Sequence, residues 1–175
     1  LAAANYTITA DITIKNGSID ATVASGKETV GFKLTGTGAL TLDGVEMTIR
    51  GTAASDGSKY DGTAFSVTEG SKLTVQNGAE LAFSGLNKGF IVPGTTPVQA
   101  AITVDGAKFT ADGIDGNFSN GGIYVFENQA DVTIQNCGSH ALSAYKVTVD
   151  DYSTLNIKNT ALRGISINEN GGILE

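Results

Sequence analysis

Oxygen-bearing side chains at short spacing mark the first candidate site. Asp112-Gly113-Ile114-Asp115-Gly116-Asn117 brings carboxylate and amide oxygens close together, and these are the ligands that calcium prefers. The segment lacks the twelve-residue pattern of an EF-hand loop and occurs once, unlike the tandem nine-residue calcium repeat. A polar turn made of Asp, Gly and Asn is the alternative interpretation. We take Asp112, Asp115 and Asn117 as candidate calcium ligands and expect no other cofactor.

A second set of side chains is suited to binding sugars. Aromatic rings can offer faces to sugar C–H groups, while amides and carboxylates can bind hydroxyls. These residues fall in three segments, 51–62, 84–89 with 93–99, and 112–121, which we expect to be loops stacked into one raised patch, the loop ridge. The candidate binding residues are Asp56, Tyr60, Asp61, Asn87, Asp112, Asp115, Asn117 and Phe118.

No catalytic residue can be assigned. His140 is the single histidine, and no serine or cysteine constellation accompanies it. Cys137 is the single cysteine, so a disulfide framework is excluded, and its slot in the repeat predicts an inert thiol at a turn.

Composition limits the function classes. The chain has 175 residues and a net charge of −7, without the basic track that a phosphate backbone requires, so we expect no nucleic-acid partner. It has no run of 18 apolar residues, so we expect no membrane insertion. With 23 glycines and 41% hydrophobic residues, the chain favours strands and turns around a core.

One short phrase recurs and predicts the fold. Each copy reads aliphatic, polar, aliphatic, polar and then Asn or Gly, which is a strand with one buried face followed by a residue able to turn the chain. The six copies begin at Ile12, Leu40, Leu73, Ile102, Val132 and Leu155. A further alternating run precedes each copy and another follows it, so each repeat contains three short strands.

In-phase repeats of this kind predict an all-β fold, a right-handed parallel β-helix (β-solenoid) of about six coils with three short strands each. The aliphatic pairs should stack inward, with an outward column of Thr13, Thr41, Thr74, Thr103, Thr133 and Asn156. A leucine-rich repeat needs a different asparagine position, and a propeller blade needs a longer repeat. A sandwich would leave the recurrence unexplained.

The phrases at 130–136 and 153–159 resemble those of bacterial surface proteins with the pectate-lyase-like right-handed β-helix superfold. That superfold includes polysaccharide lyases and hydrolases, phage tailspikes, and adhesins or passenger domains displayed outside cells. The hydrolase branch would bring a Gly-His-Gly and an Arg-x-Lys, whereas this chain has Ser139-His140-Ala141 and no Arg-x-Lys. The lyase branch would need a basic residue near calcium, but Arg50 and Arg163, the only arginines, lie about four coils apart.

Two function classes follow. We expect a non-enzymatic, extracellular or cell-surface adhesin-type module that binds glycans or a neighbouring cell surface through the loop ridge. The alternatives are a polysaccharide-acting enzyme, or a degraded relative of one, and a purely structural spacer. We expect residues 1–175 to form one solenoid domain that stacks on further β-helix coils of the same protein, with 174–175 as a cloning scar.

Overall fold

Alternation of apolar and polar residues produces short strands throughout the chain. The computed structural model describes residues 2–3, 5–26, 29–54, 60–92, 100–167 and 173–174. These residues form strands, turns and bends, and none of them forms a helix long and apolar enough to cross a membrane. The strands in chain order are β1 (Ala2–Ala3), β2 (Tyr6–Ile8), β3 (Ile12–Lys15), β4 (Ser18–Val23), β5 (Val30–Leu34), β6 (Ala39–Asp43), β7 (Glu46–Gly51), β8 (Thr63–Val67), β9 (Lys72–Gln76), β10 (Glu80–Leu86), β11 (Lys88–Ile91), β12 (Ala101–Asp105), β13 (Lys108–Ile114), β14 (Ser119–Asn120), β15 (Ile123–Glu127), β16 (Asp131–Cys137), β17 (Leu142–Ala144), β18 (Lys146–Val149), β19 (Thr154–Thr160), β20 (Ile165–Ile167) and β21 (Ile173–Leu174).

Every third strand is a neighbour in the same parallel sheet. Sheet 1 has the order β1-β4-β7-β10-β13-β16-β19, and sheet 3 has the order β3-β6-β9-β12-β15-β18-β21. Sheet 2 runs β2-β5-β8-β11-β14, and the pair β17-β20 continues its direction because Ser119 N donates to Ala141 O. The predicted parallel β-solenoid of three strands per coil is confirmed. The described residues form seven coils, one more than the count of repeated phrases.

The turn from sheet 3 to sheet 1 explains why four of the six phrases close on Asn or Gly. A single column of left-handed residues occupies this turn in successive coils: Asn16 (φ 56°), Gly44 (63°), Asn77 (55°), Gly106 (56°) and Asn128 (56°). Asn and Gly tolerate this conformation better than other residues. Their amides continue the ladder between coils, as Asn16 N donates to Asp43 O at 3.0 Å and Gly44 N to Gln76 O at 3.2 Å.

The six phrases do not all lie in one sheet, which corrects the predicted threonine column. Thr13, Thr41, Thr74 and Thr103 stack in sheet 3 as expected, but the next residue in that column is Val125. The phrases that begin at Val132 and Leu155 belong to sheet 1, where Thr133 and Asn156 follow Thr110. Both sheets use the same alternation and the same closing Asn or Gly, so the phrase does not by itself distinguish them.

The interior is filled by stacked apolar columns. Both aliphatic residues of the phrases beginning at Leu40, Leu73, Ile102 and Val132 are buried. Sheet 2 adds an aromatic stack in which Tyr6, Phe32, Phe65 and Phe90 follow one another with ring centroids 5.8, 5.3 and 5.6 Å apart. The core therefore runs along the solenoid axis, and each coil is covered by its two neighbours.

The two ends of the solenoid lack that cover. Ile12 is 43% exposed although it begins the same inner column as the fully buried Leu73. At the other end, Leu155 and Ile157 are only partly buried. The predicted inward packing thus holds for the middle coils and is incomplete in the first and last.

Candidate functional site

The corner between sheets 1 and 2 gathers most of the predicted binding residues. Tyr60 and Asp61 come just before β8, Asn87 is the single residue between β10 and β11, and Asp115 and Asn117 lie between β13 and β14. Because β8, β11 and β14 are neighbours in sheet 2, these three connections belong to successive coils on one side of the molecule. These five residues therefore lie at one corner, and their role in binding stays a prediction.

The loop ridge has a different composition from the one predicted. Segment 84–89 is mostly strand, since β10 continues to Leu86 and β11 begins at Lys88. Asp112 also lies inside a strand, β13, and not in a loop. Segment 93–99 and Asp56 lie outside the described residues.

Phe118 was predicted to offer its ring at the surface, and this was wrong. It is 1% exposed, and its ring packs edge-on against Phe90 with centroids 5.5 Å apart. Two small residues create the space. Ser119 takes the position after Phe90 in the inner column, and a Cβ placed on Gly89 would come within 2.2 Å of the Phe118 ring. Phe118 is therefore a core residue.

Tyr60 is held at this corner by a hydrogen bond and a β-bridge. Its amide donates to Asp115 Oδ2 at 2.8 Å, and it forms an antiparallel bridge with Ala53. Its ring lies against Gly85, where an added Cβ would be 3.0 Å from the ring edge. Gly85 has φ 58°, so the backbone conformation and the close ring both favour glycine there. Tyr60 and Asp115 thus have a positioning role that links the third coil to the fifth.

A cavity of about 260 Å³ opens beside this bridge. It is lined by Asp61, Thr63, Asn87, Lys88 and Ile91. Thr63 is 3% exposed. The lining therefore offers a carboxylate, an amide, an ammonium group, a hydroxyl and one aliphatic surface.

Thr63, Lys88 and Ile91 were not among the predicted site residues. Their contribution depends on the pairing of β8 with β11, which places Thr63 opposite Lys88 and Ser66 opposite Ile91. The one local sequence signal for this cavity was Ile91, an isoleucine at an outward position of β11.

The three candidate calcium ligands are each held by different protein donors. Asp112 accepts hydrogen bonds from Gln135 and Asn136, Asp115 from Tyr60, and Asn117 Oδ1 from the His140 amide at 3.3 Å. No group of three or more His, Cys, Asp or Glu side chains suited to a metal occurs within the described ranges. A calcium ion bound here would have to replace some of these hydrogen bonds, and calcium binding stays a prediction.

Asp112 follows a structural rule that recurs elsewhere in the solenoid. An Asp that precedes a left-handed Gly accepts a hydrogen bond from the left-handed Asn of the next coil. The three pairs are Asn77 with Asp43 at 2.8 Å, Asn128 with Asp105 at 2.7 Å, and Asn136 with Asp112 at 2.6 Å. The bonds from Asn136 and Gln135 lower the pKa of Asp112, and the bond from Asn77 lowers the pKa of Asp43. This recurring hydrogen bond gives Asp112 a structural role, because it stabilises the turn at the left-handed Asn136.

Cys137 and His140 are three residues apart in the chain, and the hydrogen bonds of their side chains go to other residues. Burial raises the pKa of the Cys137 thiol to about 11, which keeps it protonated at neutral pH. The His140 ring contacts Ser139 Oγ at 3.2 Å and Asn117 Oδ1 at 3.4 Å. These contacts join the turn after β16, in the sixth coil, to the turn after β13, in the fifth.

Comparison with known proteins gives no relative. No protein-family model, no curated protein and no solved structure matches the chain.

Proposed function

We propose that the protein is a non-enzymatic, extracellular surface module that binds carbohydrate at the cavity lined by Asp61, Thr63, Asn87, Lys88 and Ile91. The observation that carries the proposal is the lining of this cavity, which places the Asp61 carboxylate, the Asn87 amide, the Lys88 ammonium group and the Thr63 hydroxyl around the aliphatic side chain of Ile91.

The remaining lining suits a sugar ring. Asp61 accepts hydrogen bonds from ligand hydroxyls, Lys88 donates, and Asn87 does both. Ile91 offers an aliphatic surface for the C–H face of the ring. Polar groups placed around an apolar patch can fix the orientation of a bound ligand.

The carboxylate count favours binding over hydrolysis. Asp61 is the one carboxylate among the described lining residues, whereas glycoside hydrolysis generally needs a pair. The nearby Asp115 is engaged by the Tyr60 amide. The proposal therefore assigns recognition to the cavity and no bond cleavage.

A single cavity of this size implies weak binding per copy. Display of many copies on a bacterial surface would raise the overall affinity through multivalency. The support for that location is the resemblance of the repeated phrases to surface β-helix proteins.

A glycan array, followed by titration calorimetry with the best ligand, tests the proposal. Lys88→Met should weaken binding about tenfold, because a hydrogen bond from a charged donor is lost. Lys72→Met is the matched control, since Lys72 is an exposed lysine on sheet 3 away from the cavity. We expect it to leave the affinity unchanged.

The same titration distinguishes the other functions. Repeating it in EDTA tests the predicted calcium dependence through Asp112, Asp115 and Asn117. Release of new reducing or unsaturated ends from the ligand would indicate an enzyme and contradict the proposal. Absence of any glycan signal, or equal affinities for the two lysine variants and the parent, would also contradict it.

A further inference from the structure

The connection from β7 to β8 brings Asp61 to the cavity and is anchored on both sides of this residue. On the C-terminal side, Gly62 O accepts a hydrogen bond from the Asn87 amide at 2.9 Å. On the N-terminal side, the Tyr60 amide donates to Asp115 Oδ2 at 2.8 Å. Asp61 therefore lies between two anchored residues, and its side chain lines the cavity.

The two anchors differ in the coils that they join. The Gly62 anchor is a backbone bond between the third and fourth coils, and the bond from Gly116 N to Asn87 O joins the fourth and fifth in the same way at 3.0 Å. The Tyr60 anchor uses a side chain and joins the third coil to the fifth. The fourth coil leaves room for it, because Asn87 is its single residue between β10 and β11 and the Tyr60 ring lies against Gly85.

Asp115 is an acceptor on a fixed stretch of backbone. Its amide donates to Leu86 O at 2.9 Å in the preceding coil. In the following coil, a Cβ placed on Gly138 would lie 2.1 Å from Asp115 O, so the two backbones are in close contact. The Asp115 side chain itself is exposed, and within the described ranges the Tyr60 amide is its hydrogen-bond donor and no ion pair includes it.

Loss of this bond would affect the residue that follows Tyr60. A hydrogen bond to an ionised carboxylate is stronger than one between neutral groups, so Asp115 restrains the backbone at Tyr60. Without it, the backbone leading into Asp61 would gain conformational freedom, and a ligand would have to order it again on binding. Such ordering lowers affinity without the loss of any direct contact.

We infer that Asp115 is a positioning residue for the cavity, which acts through the Tyr60 amide to hold Asp61 where it can accept hydrogen bonds from ligand hydroxyls. The inference rests on the proposed carbohydrate function. It gives Asp115 no contact with the ligand, since the cavity lining contains Asp61 and Asn87 from this corner and not Asp115.

Amide hydrogen exchange, followed by NMR without any glycan, tests the anchor itself. Asp115→Ala should speed exchange of the Tyr60 amide about tenfold or more, because its acceptor is lost. The Asn87 amide, which donates to Gly62 O, should keep its rate. Asp115→Asn retains an acceptor oxygen and should restore most of the protection. An unchanged Tyr60 rate in Asp115→Ala, or an equal rise at Asn87, overturns the inference.

Titration calorimetry with the array glycan that the parent binds most strongly tests the effect on the site. Asp115→Ala should weaken binding about fivefold, and Asp115→Asn should recover most of the affinity. Asp131→Ala is the matched control, because it makes the same truncation at an exposed position of β16 in the sixth coil. We expect it to bind like the parent.

The double variant gives the decisive result. In Asp61→Ala the carboxylate to be positioned is absent, so adding Asp115→Ala should weaken binding no further. Two losses that multiply overturn the inference. A loss in Asp61→Ala with parent affinity in Asp115→Ala overturns the inference alone and leaves the carbohydrate proposal standing. A parent that binds no glycan, or an Asp61→Ala variant that binds like the parent, overturns both.

Discussion

The sixth and seventh coils carry nearly the same strand and differ in what covers it. β16 and β19 pair in register, with Val132 against Leu155 and Ile134 against Ile157. Val132 and Ile134 are fully buried, whereas Leu155 and Ile157 remain partly exposed. The difference shows that burial in a solenoid comes from the neighbouring coils and not from a strand's own sequence.

The strongest test of the comparison is a charge in a middle coil. Leu73→Asp should lower the free energy of unfolding by more than about 4 kcal/mol, because Leu73 is fully buried and the carboxylate would have no partner. Thr74→Asp, on the outer side of the same strand, should change it by less than about 1 kcal/mol. Chemical denaturation of both variants measures the pair. Equal losses would contradict the assignment of inner and outer faces.

A matched pair of truncations tests the ends directly. Ile134→Ala should cost about 2–5 kcal/mol of unfolding free energy, because it leaves a cavity between two coils. Ile157→Ala should cost less than half as much, because one side of Ile157 is already open to solvent. Urea denaturation gives the unfolding free energy of each variant. If Ile157→Ala proved as costly as Ile134→Ala, the last coil would be covered by something that the described residues do not contain.

The sequence predicted local structure better than it predicted sheet membership. Alternation is a local property, so the strand at Val132 and its inward face could be predicted from five residues. Its place in sheet 1 depends on the number of residues in each turn. The repeated phrase does not specify the lengths of the turns. The Asn or Gly at the end of each phrase was a reliable signal because it reflects a local φ requirement.

The candidate site was harder to predict for a similar reason. Phe118 lies among Asp, Gly and Asn residues, which is typical of an exposed turn, and its burial depends on space left by Gly89 and Ser119 in other parts of the coil stack. Thr63 and Lys88 meet only through the pairing of β8 with β11. Contacts between coils require the register, which a single sequence with degenerate repeats does not provide.

Acid titration separates two turns that share a backbone conformation. Asn136 and Asn159 have φ 54° and 51°, but Asn136 donates to the Asp112 carboxylate and Asn159 to the neutral Asn136 amide. Asn136→Gly should therefore cost about 1 kcal/mol at pH 7, and Asn159→Gly less, since glycine keeps the backbone conformation in both.

The pH dependence follows from the lowered pKa of Asp112. Because its folded pKa lies below its unfolded pKa, the Asn136 bond stabilises the protein above the unfolded value and is lost as the pH falls through the folded value. The cost of Asn136→Gly should shrink in that acid range, whereas the cost of Asn159→Gly should stay constant. Denaturation midpoints at neutral and acid pH measure both. A cost for Asn136→Gly that is independent of pH would rule out the carboxylate as the acceptor that matters.

The smallest expected effect concerns one hydroxyl in each region. Tyr124, in a middle coil, is 1% exposed, and its Oη has no hydrogen-bond partner among the described residues. The neighbouring Ser119 hydroxyl donates to Ser143 O and accepts from Ser143 N. Tyr124→Phe should therefore stabilise the protein by up to about 1 kcal/mol, because it removes a dehydrated polar group and keeps the ring. Tyr6→Phe is the matched change in the first coil, where the ring is 43% exposed and its hydroxyl can bind water, so we expect no effect. Thermal denaturation of both variants gives the comparison, and a destabilised Tyr124→Phe would mean that this hydroxyl has a partner inside the solenoid.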